Sequence, residues 1–274
     1  MHKSISLLTI VHGRQNALRN LLNGVAEGSL FPMEVVIVHM NEQPLQLDNY
    51  PFAIRQVLHK SQHGLNLAAA RNFAMLHSQS PKNVFLDVDC IPERTLIAQY
   101  AEALDDSADL ISGRVRYLSQ KASEELHASN DLFKESTPDP VRPENKPFVH
   151  ELFWTLNFGC NKETFRAVGG FDENYSGYGG EDTDFAFTAR AKGIGLKTID
   201  ATAFHQYHPS YSPPLNHLQD IIHNATVFYN KWDKWPMEGW LKAFLEKGFI
   251  EETVEGLRIK RLPTASEIQM VKKL

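Results

Sequence analysis

With 274 residues, the chain is long enough for one large domain, or a domain plus an extension, and can bury a core without covalent staples. Its 42% hydrophobic and 22% charged content is ordinary for a globular protein. A formal net charge of −5 argues against a nucleic-acid partner, which calls for a basic stripe. Cys90 and Cys160 are too few for a disulfide framework, so a reducing compartment is expected. No stretch approaches the ~20 apolar residues that span a bilayer. The apolar run after Met1-His2-Lys3-Ser4 is short for a signal-peptide core and lacks a small-residue cleavage site. The expected location is cytoplasmic.

Ile5 to Val11 is an apolar run suited to a strand buried on both faces. Leu18, Leu21, Leu22 and Val25 then repeat at helical spacing, closing near Gly28. Glu34 to His39 reads as a second buried strand, and Ile54 to His59 as a third. Gly64 to His77 reads as a helix, with Ala68, Ala69, Ala70, Phe73 and Leu76 on or near its inner face. Asn83 to Val88 is a further buried strand. Pro92 stands where proline opens a helix, which Leu96, Ile97, Tyr100 and Leu104 continue. This alternation predicts an α/β fold with a mostly parallel central sheet flanked by helices.

From Gln120 to Pro147 the chain is polar and carries Pro138, Pro140, Pro143 and Pro147. A flexible loop is expected over 119–150, of the kind that often serves as a lid. Order returns at Phe153-Trp154-Thr155-Leu156-Asn157-Phe158, followed by a short helix from Lys162 to Val168. A helix is expected from Glu181 to Gly193, then an extended segment from Leu196 to Phe204. After Pro213-Pro214, Leu218, Ile221, Ile222, Ala225 and Phe228 lie at helical spacing, as do Trp240, Leu241, Phe244 and Leu245. The expected organisation is a domain over 1–212 and a C-terminal helical extension over 213–274, ending in a loosely held helix or tail from Thr264.

Ligands of open α/β sheets bind beyond the carboxyl ends of the strands. His12-Gly13-Arg14, Met40-Asn41-Glu42 and Asp87-Val88-Asp89 all fall there. Extended alternation puts Asp87 and Asp89 on one side. Two carboxylates beside a phosphate suit Mg²⁺ or Mn²⁺, although an acidic strand end is also common without one. In Gly179-Gly180-Glu181-Asp182-Thr183-Asp184 the glycines let backbone approach a ligand. One of Glu181 and Asp182 can then face a hydroxyl as general base. The plainer alternative is an acidic first helical turn, which the helix dipole favours. His205 and His208 can complete a metal shell or serve as surface groups, in a chain with 12 histidines. Arg71 can clamp a phosphate or sit in an ordinary salt bridge.

Taken in order, these segments resemble glycosyltransferase family 2 and its relatives with the GT-A fold, over most of residues 4–210. Gly64 through Ala70-Arg71-Asn72, Phe85-Leu86-Asp87-Val88-Asp89, Gly169-Gly170-Phe171-Asp172-Glu173 and Gly179-Gly180-Glu181-Asp182 carry the likeness. The second half is similar to the catalytic segment of β-1,4-galactosyltransferases, whose Trp-Gly-Gly-Glu-Asp stretch matches Tyr178-Gly179-Gly180-Glu181-Asp182. The resemblance implies a nucleotide-binding half over 1–118 and an acceptor and catalytic half over 151–212. It implies Tyr178 at the sugar, Asp182 as base, Asp89 and His208 as metal ligands, and His205 as a further ligand. Asp87 supports the ribose or the metal's water shell, and Arg71 the diphosphate or the nucleobase-ribose end. Trp154 and Asn157 line a sugar.

The chain departs from the family at the nucleotide end. His12-Gly13-Arg14 replaces the commoner ending of the first strand, and Glu42 or Asn41 stands in for the usual base-reading aspartate. The implied activity is an inverting, Mn²⁺- or Mg²⁺-dependent transfer from a nucleoside diphosphate sugar, expected to be UDP-linked. Its acceptor is a saccharide or a lipid-linked glycan, the latter reached by peripheral membrane contact. Two rival readings are a nucleotidyltransferase that makes the activated sugar and a non-catalytic sugar-nucleotide-binding subunit. The first calls for a glycine-rich loop after strand one, where Gly13 stands alone. The retained carboxylates count against the second.

Overall fold

The computed structural model describes residues 4–62, 64–127, 131–142, 146–254 and 256–273. Strand β1 (Ile5–Val11) is buried along its whole length, as its apolar run requires. Helix α1 (Gln15–Ala26) lays Leu18, Leu21, Leu22 and Val25 on the sheet and leads to β2 (Glu34–Met40) and β3 (Ala53–His59). Helix α2 (Leu67–His77) begins three residues later than its pattern suggested, because the Asn66 side chain accepts from Ala69 N at 2.8 Å and caps it. Leu76, expected inward, is 73% exposed. The helix buries Ala70 and Ala74, one turn apart, and Leu76 falls on the opposite side.

Strand β4 (Lys82–Leu86) stops two residues short of its expected end, and β5 (Cys90–Pro92) follows. Pro92 closes this edge strand instead of opening a helix; an edge tolerates the missing N–H. Helix α3 (Leu96–Ala103) starts beyond it. Next come β6 (Leu110–Leu118), α4 (Gln120–Glu124) and β7 (Ser136–Pro138), so the segment expected as one long loop carries two elements of its own. It is also anchored by a buried Asp139–Arg142 pair at 2.7 Å, with the guanidinium 4.4 Å from the centre of the Trp154 ring.

Strand β8 (Asn157–Asn161), α5 (Lys162–Val168), α6 (Glu181–Ala191) and β9 (Leu196–His205) complete the main body. The sheet runs β3-β2-β1-β4-β8-β6-β9-β5, with β7 on β6. Its first four strands are mutually parallel, while β8 is antiparallel to both β4 and β6, so the sheet is mixed. One core lies under α1 and α3, and the other under α2, α5 and α6, where Phe85, Phe158, Phe171 and Phe185 pack ring on ring.

The C-terminal segment is not purely helical. Strand β10 (Ser210–Tyr211) precedes α7 (Leu218–Trp232) and α8 (Glu238–Glu246), but β11 (Ile250–Thr253) and β12 (Gly256–Ile259) then form a hairpin. Helix α9 (Ala265–Met270) is closed by a Thr264–Glu267 capping box, and β13 (Lys272–Lys273) pairs with β10, so the tail is held at both ends. The segment has its own core around Leu218, Ile221, Leu241, Phe244 and Ile250. It is tied to α6 through buried Asp184, which accepts from Lys231 Nζ at 2.9 Å and Trp232 Nε1 at 2.7 Å.

Asn157, expected at a sugar, is 1% exposed and locks three strands together. Its Oδ1 accepts from Tyr100 Oη at 2.8 Å, and its Nδ2 donates to the Arg114 and Ala201 carbonyls at 2.9 and 2.8 Å. Asn157→Ala strands these partners in the core and should cost about 3 kcal/mol of unfolding free energy. Urea denaturation checks this, and the midpoint should fall without a change in slope.

Candidate active site

Asp89 stands in the turn between β4 and β5, 7% exposed. The turn is set by Asp87 N donating to Leu156 O at 3.1 Å and Cys90 N donating to Asp87 O at 2.8 Å. The antiparallel register of β5 and β9 places His205 opposite Cys90, and Gln206 N donates to Asp89 O at 2.7 Å. Strand pairing therefore brings the end of β9 onto Asp89, although 116 positions separate Asp89 from His205 in sequence. His205 Nε2 lies 3.4 Å from Asp89 Oδ1, and His208 Nε2 lies 3.5 Å from Oδ2. One ligand atom from each of the three residues lies within 4.8 Å of the others.

Asp89 Oδ1 is buried without a hydrogen-bond donor, the mark of an acceptor left for something else. Burial pushes the His208 imidazolium pKa down, and the Arg14 cation adds to this, favouring the neutral ring that a metal needs. A carboxylate with two imidazoles fits Mn²⁺ better than Mg²⁺, which prefers oxygen. Arg14 Nη1 donates to Asp89 Oδ2.

Arg71 links this turn to the glycine-flanked helix start. It is 4% exposed on α2, donates from Nη1 to Glu181 Oε1 at 2.9 Å and from Nη2 to Asp87 Oδ1 at 3.4 Å, and lies over the Phe171 ring. Of the two expectations for Arg71, the structure shows the salt bridge, made to two acids of the candidate site. Burial pushes Asp87 up, Arg71 pulls it down, and Asp89 pushes it up again. Gly179 and Gly180 adopt φ of +98° and +90°, which strains any L side chain, and so turn the chain into α6.

Glu181 is buried and clamped by Arg71. Asp182 is half-buried, and among the described residues its Oδ1 accepts from Thr183 N at 2.8 Å and more loosely from the Thr183 hydroxyl at 3.4 Å. Burial pushes Asp182 up to about 7, Glu181 adds to this, and Arg71 opposes it. Of the two acids, Asp182 is therefore the one poised to take a proton near neutrality. Arg71→Met removes the opposing cation. Its expected effects are a loss of about 3–5 kcal/mol from leaving buried charge unpaired and an upward move of the Asp182 titration. Thermal unfolding and a pH profile of turnover check both.

At the end expected to hold the nucleotide, Gly13 N donates to Glu42 Oε2 at 2.6 Å, and His12 Nδ1 lies 2.7 Å from Met40 O. Asn41 is committed to the loop after β3, accepting from Ser61 N and donating to Gly64 O. Glu42 Oε1 is buried without a hydrogen-bond donor beside a cavity of about 470 Å³ that Lys60 and Leu58 also line. Of the two candidates, Glu42 is the one with acceptor capacity left. A second cavity, about 690 Å³, is bordered by Arg14, Asn16, Asn20, Asp89, Ser123 and His208.

Arg14, Arg71, Asp87, Asp89, Glu181, Asp182, His205 and His208 are thus brought together. Tyr178 joins them within the field of four of these carboxylates. Val88 turns its side chain into the core, and Trp154 stacks on Arg142. Two contributors were not foreseen. Buried Gln206 accepts from Asn20 Nδ2 at 2.7 Å and donates to Ala17 O at 3.2 Å, fastening α1 to the end of β9. Ser123 Oγ accepts from Tyr207 N at 2.7 Å. A polar residue between two candidate ligands was the available signal for Gln206.

The family model described as "Glycosyl transferase family 2" matches residues 6–165. The chain belongs to this family. A second model, "N-terminal domain of galactosyltransferase", matches residues 144–211, so the two together cover the whole site. Among relatives, a chondroitin synthase of Pasteurella multocida (strain Pm70) is 25% identical over 213 residues, 65% of this chain and 22% of that protein. A validoxylamine A glucosyltransferase of Streptomyces hygroscopicus subsp. jinggangensis is 27% identical over 159 residues, 48% of this chain and 37% of that protein. This family 2 chain therefore spans well under half of those relatives.

The fold recurs in S. aureus TarS 1-349, with a TM-score of 0.53 at 16% identity over 90% of this chain and 72% of that one. It recurs also in GalNAc-T7 crystallised with UDP, GalNAc and Mn²⁺, with a TM-score of 0.53 at 13% identity over 75% and 43%. Among the described residues, no helix is long and apolar enough to cross a membrane.

Proposed function

We propose that this family 2 chain transfers a sugar from a UDP-sugar to an acceptor hydroxyl with inversion at the anomeric carbon. The observation that carries the reading is the single network in which Arg71 joins Asp87 to Glu181 and leaves Asp182 free, next to the Asp89–His205–His208 donor set. The relatives named as a chondroitin synthase and a glucosyltransferase support it, as does the UDP and Mn²⁺ found with GalNAc-T7.

Asp182 takes the proton of the acceptor hydroxyl as its oxygen bonds to the anomeric carbon. The bond from that carbon to the diphosphate breaks, and the electron pair leaves with UDP. One carboxylate on one face gives a single displacement and therefore inversion. A cation held by Asp89, His205 and His208 would offset charge on the leaving diphosphate. Arg14 supplies a second positive group there, Glu42 accepts from the nucleobase, and Asp87 from the ribose. Gly180 gives the donor close access to backbone. In this reading residues 1–212 are the catalytic domain. The acceptor is a saccharide, free or lipid-linked.

A panel of UDP- and GDP-sugars, screened by thermal shift with Mn²⁺, should show a UDP-sugar raising the melting temperature by binding the folded state alone. The same sugar should then be hydrolysed slowly without acceptor, in a reaction stopped by EDTA. Turnover indifferent to EDTA overturns the reading. So does release of pyrophosphate from UTP and a sugar phosphate.

A further inference from the structure

The C-terminal segment lies outside both family matches, beyond residue 211. It nevertheless shapes the loop that carries the base. Asn224 of α7, 1% exposed, accepts from Ser176 N at 3.0 Å and donates to Ser176 O at 2.9 Å and Gly179 O at 2.7 Å. A Cβ on Gly177 would collide with the Asp220 carboxylate, and one on Gly179 would lie 2.9 Å from Met237 Sδ. The Ser176–Gly180 loop is therefore moulded on α7 and the start of α8.

Two aromatic rings of the same segment reach Tyr178. The His217 ring stacks on it at 4.6 Å and 24°, and Trp240 of α8 lies parallel to it at 5.9 Å and 26°. His217 is steadied by Asp220, 3.5 Å away. The group is not sealed in a core: Tyr178 is 40% exposed, and His217 and Trp240 are half-buried. Tyr178 also stands four positions before Asp182 and within its field. An open aromatic face beside ionisable carboxylates is the chemistry that holds a sugar ring, with C–H groups on the ring face and hydroxyls on the oxygens.

We infer that Tyr178, His217 and Trp240 form the acceptor wall of the site, so that the C-terminal segment selects a saccharide acceptor by stacking on its apolar face. The inference rests on the glycosyl-transfer reading above and adds a specificity role for a segment that neither family model includes. His217 and Trp240 act on the acceptor, since the donor's diphosphate meets Arg14 and the cation that Asp89, His205 and His208 would hold.

The test uses the full chain with UDP-sugar and Mn²⁺, and methyl β-glycosides of glucose, galactose, xylose, N-acetylglucosamine and glucuronic acid as acceptor probes. Trp240→Ala should raise the acceptor KM about tenfold, the loss expected for one aromatic contact. Donor hydrolysis without acceptor should stay within about twofold, and Trp240→Phe should restore most of the acceptor KM. Saturation-transfer NMR should show ring protons of a glycoside saturated by wild type and not by Trp240→Ala. An unchanged acceptor KM overturns the inference, and so does a parallel fall of hydrolysis and transfer, which a purely structural role produces. A wild type that turns over no UDP-sugar overturns the catalytic reading instead. The wall is then judged by NMR alone: saturation lost in Trp240→Ala upholds it, and no saturation in wild type overturns it.

Discussion

Asp182→Asn should lower sugar transfer by about 10²–10⁴-fold, the range for removing a general base, while UDP-sugar binding by calorimetry stays near wild type. The substitution keeps the size of the side chain and its acceptor oxygen toward Thr183 N, so the loop keeps its shape. The pH dependence follows from the same group. Burial, then Glu181, hold Asp182 up to about 7. A base works only when ionised, so wild-type turnover should climb as pH rises through about 7 and flatten above it. The residual activity of Asp182→Asn should lack that limb. Stability runs in the opposite sense. The folded pKa lies above the ordinary carboxylate value, so the fold favours the neutral form. That contribution is complete below about pH 4 and is lost as pH rises through about 7. Asp182→Asn, always neutral, should therefore gain stability relative to wild type between pH 5 and 8, read as a growing difference in melting temperature. A variant that loses activity and stability together across this window contradicts the assignment. Glu181→Gln is the contrasting control: it breaks the buried pair with Arg71, so its main effect should be on stability.

Much of this site was legible because it rests on local chemistry. Apolar runs such as Ile5–Val11 and Glu34–His39 read as strands buried on both faces, with their ends at one crevice, and both are strands. The Gly179-Gly180-Glu181-Asp182 segment announced a helix start by its glycines and acids. What could not be read depends on contacts between distant segments. Asn157 lies near aromatic residues in sequence, but it faces Tyr100 and two backbone carbonyls across the sheet. Pro92 is compatible with both a helix start and an edge strand, and only the pairing of Cys90 with His205 decides between them. The β11–β12 hairpin escaped because its strands are short and its turn lacks an Asn-Gly or Asp-Gly signal. His217 and Trp240 carry no motif at all, and their meaning arises only when α7 and α8 fold back onto Tyr178.

The same dependence on distant pairing makes Asp89 the most sensitive position of the proposed metal centre. Asp89→Ala should abolish tight Mn²⁺ binding and reduce metal-dependent donor hydrolysis by about 10³-fold or more, in keeping with the several kcal/mol that a cation contributes to a departing phosphate. The carboxylate supplies the only oxygen of the donor set, and its two oxygens each face one imidazole, Oδ1 that of His205 and Oδ2 that of His208. Removing it leaves two neutral ligands, too few for a firm site. His208→Ala and His205→Ala should each weaken Mn²⁺ less than Asp89→Ala, because the charged ligand remains. The fold should tolerate the change, since the backbone bond from Gln206 N to Asp89 O does not need the side chain. Asp89→Ala also frees Arg14 from its carboxylate partner, so a guanidinium remains to meet the diphosphate. UDP should consequently still bind in the absence of metal, and calorimetry should find that adding Mn²⁺ no longer strengthens it. A variant that retains metal-enhanced UDP binding would place the cation elsewhere and separate the Asp89 turn from the chemistry.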